Sequence, residues 1–298
     1  MNPDPKRVSV TVTTETIRIA AVQFRSGKAL QDNCERICAH LSRLASEGVG
    51  VVAFPECALT GYENDGIENA APGELDEAGR ALAATCESNG IAAVVGMPFF
   101  ENGTRYNGGI AWNARGECVS RYAKIHTGGE KCFAPGTRLA LFKLDGVLCT
   151  TIICFDSRFP ELVRLPVMEG AQLVFYLSCE TDITDERRMD QYRAQLVARA
   201  AENSVYVVCA NSPMGEVRVT PERIHGFGQD GNGRSRIIDP AGVILKEASV
   251  FGEDTVVADI NPGAADRHLA LLSRESPLFR DWWDLGRKIV GGLPPPEF

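Results

Sequence analysis

The sequence predicts an α/β protein of two similar halves, each a sheet covered by helices, packed against one another in layers. Three observations predict it. Apolar runs of strand length alternate with stretches of helical periodicity. "VLCTTIICFD", a helical stretch and "LVFYLS" echo "IRIAAVQF", a helical stretch and "VVAFPE" in order and spacing. Between the echoes lie strand pairs joined by turn signals.

The first strand is the β-rich run "TIRIAAVQF" (16–24). Leu30, Cys34, Ile37, Cys38, Leu41 and Leu44 then recur at helical spacing before Gly48, and "VGVVAF" (49–54) follows as a buried strand. A strand, helix, strand unit favours parallel pairing in a covered sheet. A helix over about 74–89 stops at Asn89-Gly90, and "IAAVVGM" (91–97) is the next strand. "YNGGIAWN" and "ECVSRYAK" flank the turn-like "ARG", while "LALFKL" and "VLCTTIIC" flank Asp145-Gly146, a strong hairpin signal. After Cys154 come a helix (159–169), the strand "LVFYL" (173–177), a helix (185–203) and the strand "VYVVCA" (205–210). A loop rich in Gly, Pro and Arg (211–234) leads to "SRIIDPAGVILKEA", a hairpin turning on Asp239 to Gly242. One more strand, "TVVADI" (255–260), precedes a helical tail with Trp282 and Trp283. No low-complexity linker divides the halves. We therefore expect one domain over residues 16–262, a flexible extension over 1–15, and a tail over 263–298 that covers a subunit interface.

Composition narrows the function. With 298 residues, 44% of them hydrophobic, the chain can bury a large core. Thirty-one basic against 39 acidic residues give a net charge of −8 without a long run of either sign, which argues against nucleic acid as a partner. The longest apolar stretches, such as "IAAVVGMPFF" (91–100), are too short to span a bilayer, and the first residues lack a signal peptide's apolar segment. We expect no membrane partner and a cytoplasmic location. The ten cysteines include no C-x-x-C pair and read as reduced thiols packed as small hydrophobes. Cys34, Cys38 and His40 lie within reach of a shared metal, but no second cluster completes a tetrahedral set and all three fit one amphipathic helix, so no metal is expected.

The chemistry gathers at strand ends. "VVAFPE" finishes on Glu56, "ECVSRYAK" on Lys124 and "TTIIC" on Cys154. In layered α/β sheets ligands collect beyond the carboxyl ends of strands, so three groups far apart in sequence can converge there. A cysteine attacks only as thiolate and needs a base or a positive charge nearby. Glu56 would take the thiol proton and pass it to the leaving amine, a role suited to a buried carboxylate. Lys124 and the backbone N–H of Phe155 would hold the oxyanion. His126 would face the same side as Lys124 in an extended segment, and we read it as structural. Asp156, Arg158 and Glu161 are expected to form an ion-pair lattice that anchors the turn after Cys154.

"FPE" (54–56), "YAKIHTGGEKCFAPG" (122–136) and "CFDSRFPE" (154–161) resemble the three signature regions of the nitrilase superfamily of carbon–nitrogen hydrolases, and "GRSRIIDPAGVIL" is similar to that family's following hairpin. The resemblance runs in order from about residue 17 to 260. It implies a four-layer αββα sandwich of two mixed sheets covered by helices, a dimer or larger homo-oligomer, and no cofactor. It implies a Glu56, Lys124, Cys154 triad, with Glu130 orienting the lysine and the substrate. "TGGE" departs from the bulky apolar residue that relatives often carry after the histidine.

The expected activity is that of a thiol amidohydrolase, cleaving a small linear amide or N-carbamoyl compound through a cysteine thioester. Phe155-Asp156 after the cysteine favours amides, because nitrile-cleaving relatives typically show Trp-Glu there. A nitrile-hydrolysing member and a non-catalytic small-molecule binder on the same scaffold are the alternatives. Loops 178–190 and 211–229 are expected to line the substrate site.

Overall fold

The computed structural model describes residues 16–62, 64–180, 186–214, 218–219, 224–225 and 231–291. The expected extension over residues 1–15 and much of the two expected substrate loops lie outside them.

The first half runs β1 (Ile17–Gln23), α1 (Leu30–Ser46), β2 (Val51–Ala53), a short α2 (Asn64–Asn69), α3 (Pro72–Asn89), β3 (Ala92–Glu101), β4 (Thr104–Trp112) and β5 (Cys118–Ala123). The second runs β6 (Phe142–Leu144), β7 (Val147–Ile153), a 3-10 turn (Cys154–Arg158), α4 (Glu161–Met168), β8 (Leu173–Ser178), α5 (Glu186–Ala201) and β9 (Tyr206–Asn211). It continues through β10 (Arg218–Val219), β11 (Ile224–His225), β12 (Arg236–Ile238) and β13 (Ile244–Glu247). β14 (Asp254–Ile260) then returns to the first sheet, followed by α6 (His268–Glu275) and α7 (Arg280–Gly291). Of these, α2, the β10–β11 pair and the hairpin between β3 and β4 were not expected.

Two six-stranded sheets result, ordered β14-β1-β2-β3-β4-β5 and β13-β12-β9-β8-β7-β6. Each has three central parallel strands, β1, β2 and β3 or β7, β8 and β9, flanked by antiparallel ones. The sheets are mixed because each crossover helix makes a parallel neighbour, whereas tight turns make antiparallel ones. Residue alternation then builds the layers. Ile19, Val51, Val94, Ile153, Phe175, Leu177 and Val208 point between the sheets. Val22, Val52, Phe54 and Val95 pack on the buried stripe Cys34, Ile37, Leu41 and Leu44 of α1 and on Leu75, Ala78 and Leu82 of α3. Ile152, Val174, Tyr176 and Val207 face Leu162 and Val163 of α4, Leu196 and Ala200 of α5, and the C-terminal helices. The observed order is therefore the αββα sandwich.

Cys34 is buried on the inner stripe of α1, and His40 packs edge-on against Phe24 and Phe54. Among the described residues no group of three or more His, Cys, Asp or Glu is placed to hold a metal. None of the ten cysteines, all of them among the described residues, is in a disulfide. No helix among the described residues is long and apolar enough to cross a membrane.

The tail helix α7 has two apolar faces. Trp283 and Val290 pack with the helix layer of the second half, and Gly286 sits against Leu165 of α4. Trp282, Leu285 and Ile289 lie exposed, beside exposed Leu272, Leu278 and Phe279.

Candidate active site

Glu56 is placed by the turn that ends β2. Pro55 has no N–H to continue the ladder, and the chain folds back at once: Ala58 N–H donates to Pro55 O, and Gly61 N–H to Cys57 O. This turn lies so close to β3 that a Cβ on Gly96 would meet Pro55 O at 2.0 Å and the Glu56 Cα at 2.6 Å. Only a glycine lets the two backbones approach in this way.

Lys124 follows β5, held on both sides, since its N–H donates to Asn107 O and its carbonyl accepts from Gly136 N–H. Its side chain is 1% exposed and reaches two carboxylates, Glu56 Oε1 at 2.7 Å and Glu130 Oε1 at 2.5 Å. Glu56 is equally buried and accepts two more hydrogen bonds, from Asn107 Nδ2 at 2.8 Å and from the Cys179 backbone N–H at 3.0 Å. Glu130 also accepts from the Tyr62 hydroxyl and, at 3.5 Å, from Asn107 Nδ2. Burying a lone charge is prohibitive, and these partners compensate it.

Electrostatics follows from that packing. Burial by itself lowers the Lys124 pKa, but Glu56, Cys154 and Glu130 more than offset it and hold the ammonium well above the ordinary lysine value. Burial and the negative charge of Glu56 push the Glu130 carboxyl up, opposed by Lys124 and Tyr62.

Cys154 begins the 3-10 turn at the end of β7 with φ at 43°, the left-handed region that a side chain normally avoids. Such strain persists where the surroundings over-determine it, and it concentrates at functional sites. Burial and then Glu56 raise the thiol pKa well above its usual value, against the pull of Lys124 and of the Ser178 hydroxyl. The resting sulfur is therefore a thiol that needs a base.

The turn is anchored differently from the expected ion-pair lattice. Asp156 is buried and accepts from the Tyr122 hydroxyl at 2.7 Å, His126 N–H at 2.9 Å and Ile153 N–H at 3.1 Å. Arg158 turns outward over the Phe155 and Tyr192 rings, and Glu161 is exposed. Neighbouring backbone N–H groups and a phenol satisfy a buried carboxylate without the cost of desolvating a guanidinium. The His126 ring stacks on Phe159 with centroids 3.5 Å apart.

The site thus brings Glu56 and Glu130 onto Lys124 and sets Cys154 within electrostatic reach of Glu56 and Lys124. Sequence reasoning missed Asn107 and Tyr62, and it held Ser178 and Cys179 only as the start of an expected substrate loop, without a role. The one available signal was the polar asparagine interrupting "YNGGIAW".

Comparison with known proteins gives the family. The family pattern described as carbon-nitrogen hydrolase matches residues 18–267. The chain belongs to the carbon-nitrogen hydrolase family. Among its relatives, 2-oxoglutaramate amidase of Bacillus subtilis is 30% identical over 68% of this chain and 74% of its own. Omega-amidase NIT2 of Homo sapiens is 25% identical over 89% of this chain and 94% of its own. Among solved structures, a cysteine-to-alanine mutant of the nitrilase-superfamily amidase from Nesterenkonia sp. AN1 superposes with a TM-score of 0.76 at 26% identity, covering 92% of this chain and 100% of that one. A glutamate-to-glutamine mutant of the same amidase, at TM-score 0.75 and 25% identity over 92% and 100% of the two chains, carries the acetamide moiety of fluoroacetamide covalently on its active-site cysteine.

Proposed function

We propose that this carbon-nitrogen hydrolase is a cysteine amidohydrolase that cleaves a small linear amide or N-carbamoyl compound. The observation that carries the reading is the buried ammonium of Lys124 held between Glu56 and Glu130 beside a strained cysteine. Glu56 has two of its lone-pair sites taken by Lys124 and Asn107 on Oε1 and one by Cys179 N–H on Oε2. It retains acceptor capacity on Oε2 for the Cys154 thiol proton.

The thiolate attacks the carbonyl carbon, and the developing oxyanion is met by the Lys124 ammonium and the Phe155 N–H. Glu56 then delivers its proton to the departing ammonia or amine, leaving a thioester on Cys154. Water deprotonated by Glu56 releases the acid and restores the thiol. Glu130 keeps Lys124 in place. No metal or organic cofactor enters this scheme.

The amidase relatives support amides over nitriles. The covalent adduct of the Nesterenkonia amidase supports a nucleophilic cysteine here, the group on which the proposed thioester forms. Family membership and the matched span support one hydrolase domain over residues 16–262. The exposed row of Trp282, Leu285 and Ile289 supports a homo-oligomer in which the tail, residues 263–298, covers a subunit contact. The cytoplasm remains the proposed compartment.

The test is a panel of ω-amides, aliphatic amides, carbamoyl amines and nitriles, reading ammonia, with intact mass watching for an acyl adduct on Cys154. Ammonia from amides together with the adduct is expected. Ammonia from nitriles alone would shift the reading to the nitrile branch, and ligand binding without ammonia would make the chain a binder.

A further inference from the structure

A chain of hydroxyls leads away from Cys154 along the end of β8. β7 and β8 are parallel and in register up to Ile153 beside Leu177, so the next pair is Cys154 beside Ser178. Ser178 Oγ donates to the Tyr176 Oη at 3.2 Å, and Tyr176 Oη donates to Glu180 Oε1 at 3.0 Å. Tyr176 and Ser178 share one face of β8, Glu180 follows just past its end, and all three are buried. The other carboxylate oxygen, Glu180 Oε2, accepts from Asn232 Nδ2 at 3.3 Å and Asn211 Nδ2 at 3.5 Å. Among the described residues no cation lies within ion-pair distance of Glu180. A carboxylate taken this far from water, whose hydrogen-bond donors among the described residues are all neutral, is an expensive feature that the triad chemistry leaves unused.

We infer that Glu180 is a second proton acceptor for Cys154, reached through Tyr176 and Ser178. This rests on Cys154 being the nucleophile of the proposed reaction. Each hydroxyl has one proton to donate and lone pairs to accept with. Because an ionised carboxylate only accepts, Glu180 points every O–H away from the sulfur and leaves a Ser178 lone pair facing the thiol. In the transfer, the S–H bond breaks as Ser178 Oγ takes that proton. The Ser178 proton passes to Tyr176 Oη, and the Tyr176 proton to Glu180 Oε1. The result is a thiolate at one end and a neutral carboxylic acid at the other, with no net change in protons or charge. The Ser178 O–H then points at the sulfur and stabilises its charge. The thiol has one proton to lose, so Glu180 and Glu56 are alternative acceptors for it, and ionisation of the sulfur does not depend on Glu56 alone.

The surroundings suit the role. Burial raises the Glu180 carboxyl above the ordinary glutamate value against the opposing pull of Arg236, which brings it nearer to a thiol. Among the described residues, the other titratable groups facing this chain are Glu56 and Lys124 from the first half, Tyr192 of α5, Cys209 of β9 and Arg236 of β12.

The experiment measures alkylation of Cys154 by iodoacetamide against pH, resolved by peptide mass spectrometry, in the full chain and in Glu180→Gln and Tyr176→Phe. Both variants keep the side-chain shape. We expect each to slow alkylation at neutral pH by about tenfold and to move its midpoint to higher pH. The double variant should be no slower than the slower single one, because either change breaks the same chain. Ser178→Ala, which leaves the buried carboxylate and its other partners intact, should show the same shift and serves if the deeper variants misfold. A purely structural role would lower thermal stability but leave the midpoint in place. Unmoved midpoints in folded variants, or additive effects in the double variant, overturn the relay while leaving the amidase reading standing. A Cys154 no more reactive than buried Cys149, in a protein that releases no ammonia, overturns both.

Discussion

The two halves of the molecule share one strand topology and differ in what they place at its end. Val51 pairs with Ile19 on one side and Ala92 on the other, as Leu173 pairs with Cys149 and Tyr206. Aligning these two rows sets Phe24 on Cys154, Glu56 on Ser178 and Gly96 on Ala210. The position that carries the nucleophile in one half is a fully buried phenylalanine in the other, and the position that carries the carboxylate is a serine. The turns differ too, since backbone hydrogen bonds hold the one after β2 and the Asp156 carboxylate holds the one after β7. A common backbone therefore sets the location of the site, and a few strand-end residues set its chemistry, the division of labour general to folds that host many functions.

The comparison breaks first at the nucleophile. Cys154→Ala should lower ammonia release by roughly 10⁴-fold or more with the fold intact by circular dichroism, because nothing in the first half replaces the sulfur. Glu56→Gln keeps the shape but removes the base, and a loss of about 10²–10⁴-fold in kcat is expected. A mild loss in steady-state assays would hand the base role to the second half. Lys124→Met should cost about 10²–10³-fold in rate. It also leaves Glu56 and Glu130 buried without a cation, which should cost about 3–5 kcal/mol in urea unfolding.

Gly96→Ala against Ala210→Gly sharpens the comparison at matched positions. The first drives a methyl into Pro55 O and the Glu56 backbone. It should cost about 1–3 kcal/mol and displace the base, with a fall in kcat. The second should cost about 1 kcal/mol or less and leave kcat close to wild type. Equal kinetic effects would mean that the close approach at Gly96 does not position Glu56.

The smallest effect is expected at Asp156. Burial raises its carboxyl above the ordinary aspartate value despite its hydrogen bonds. A carboxyl with a raised folded pKa contributes stability that is complete below the unfolded value, near pH 4, and is lost as pH rises through the folded one. The deficit of Asp156→Asn in melting temperature, corresponding to about 1–3 kcal/mol, should therefore be largest near pH 4 and shrink toward pH 7. A deficit that grows with pH would contradict the assignment.

Much of this was legible in the chain. The alternation of Val174, Phe175, Tyr176 and Leu177 between two cores, the helical stripe from Cys34 to Leu44, and the turn at Asp145-Gly146 all follow from local periodicity and turn chemistry. The echo between "IRIAAVQF" and "VLCTTIICFD" anticipated the matched sheets. The ion-pair lattice at Asp156 was misjudged because charge spacing within a turn says nothing about which distant backbone N–H groups will arrive there. Tyr122 and His126 reach Asp156 from the other half.

By itself the sequence determined the strands, the helices, the strand-end positions of Glu56, Lys124 and Cys154, and the family to which the chain belongs. Tertiary structure alone decided that Asn107 and the Cys179 amide share Glu56, that Ser178 stands beside Cys154, and that Glu180 ends a buried hydroxyl chain. The physical reason is range. Periodicity and turns are local, whereas hydrogen-bond partners depend on the register of ladders that close only when both sheets are packed.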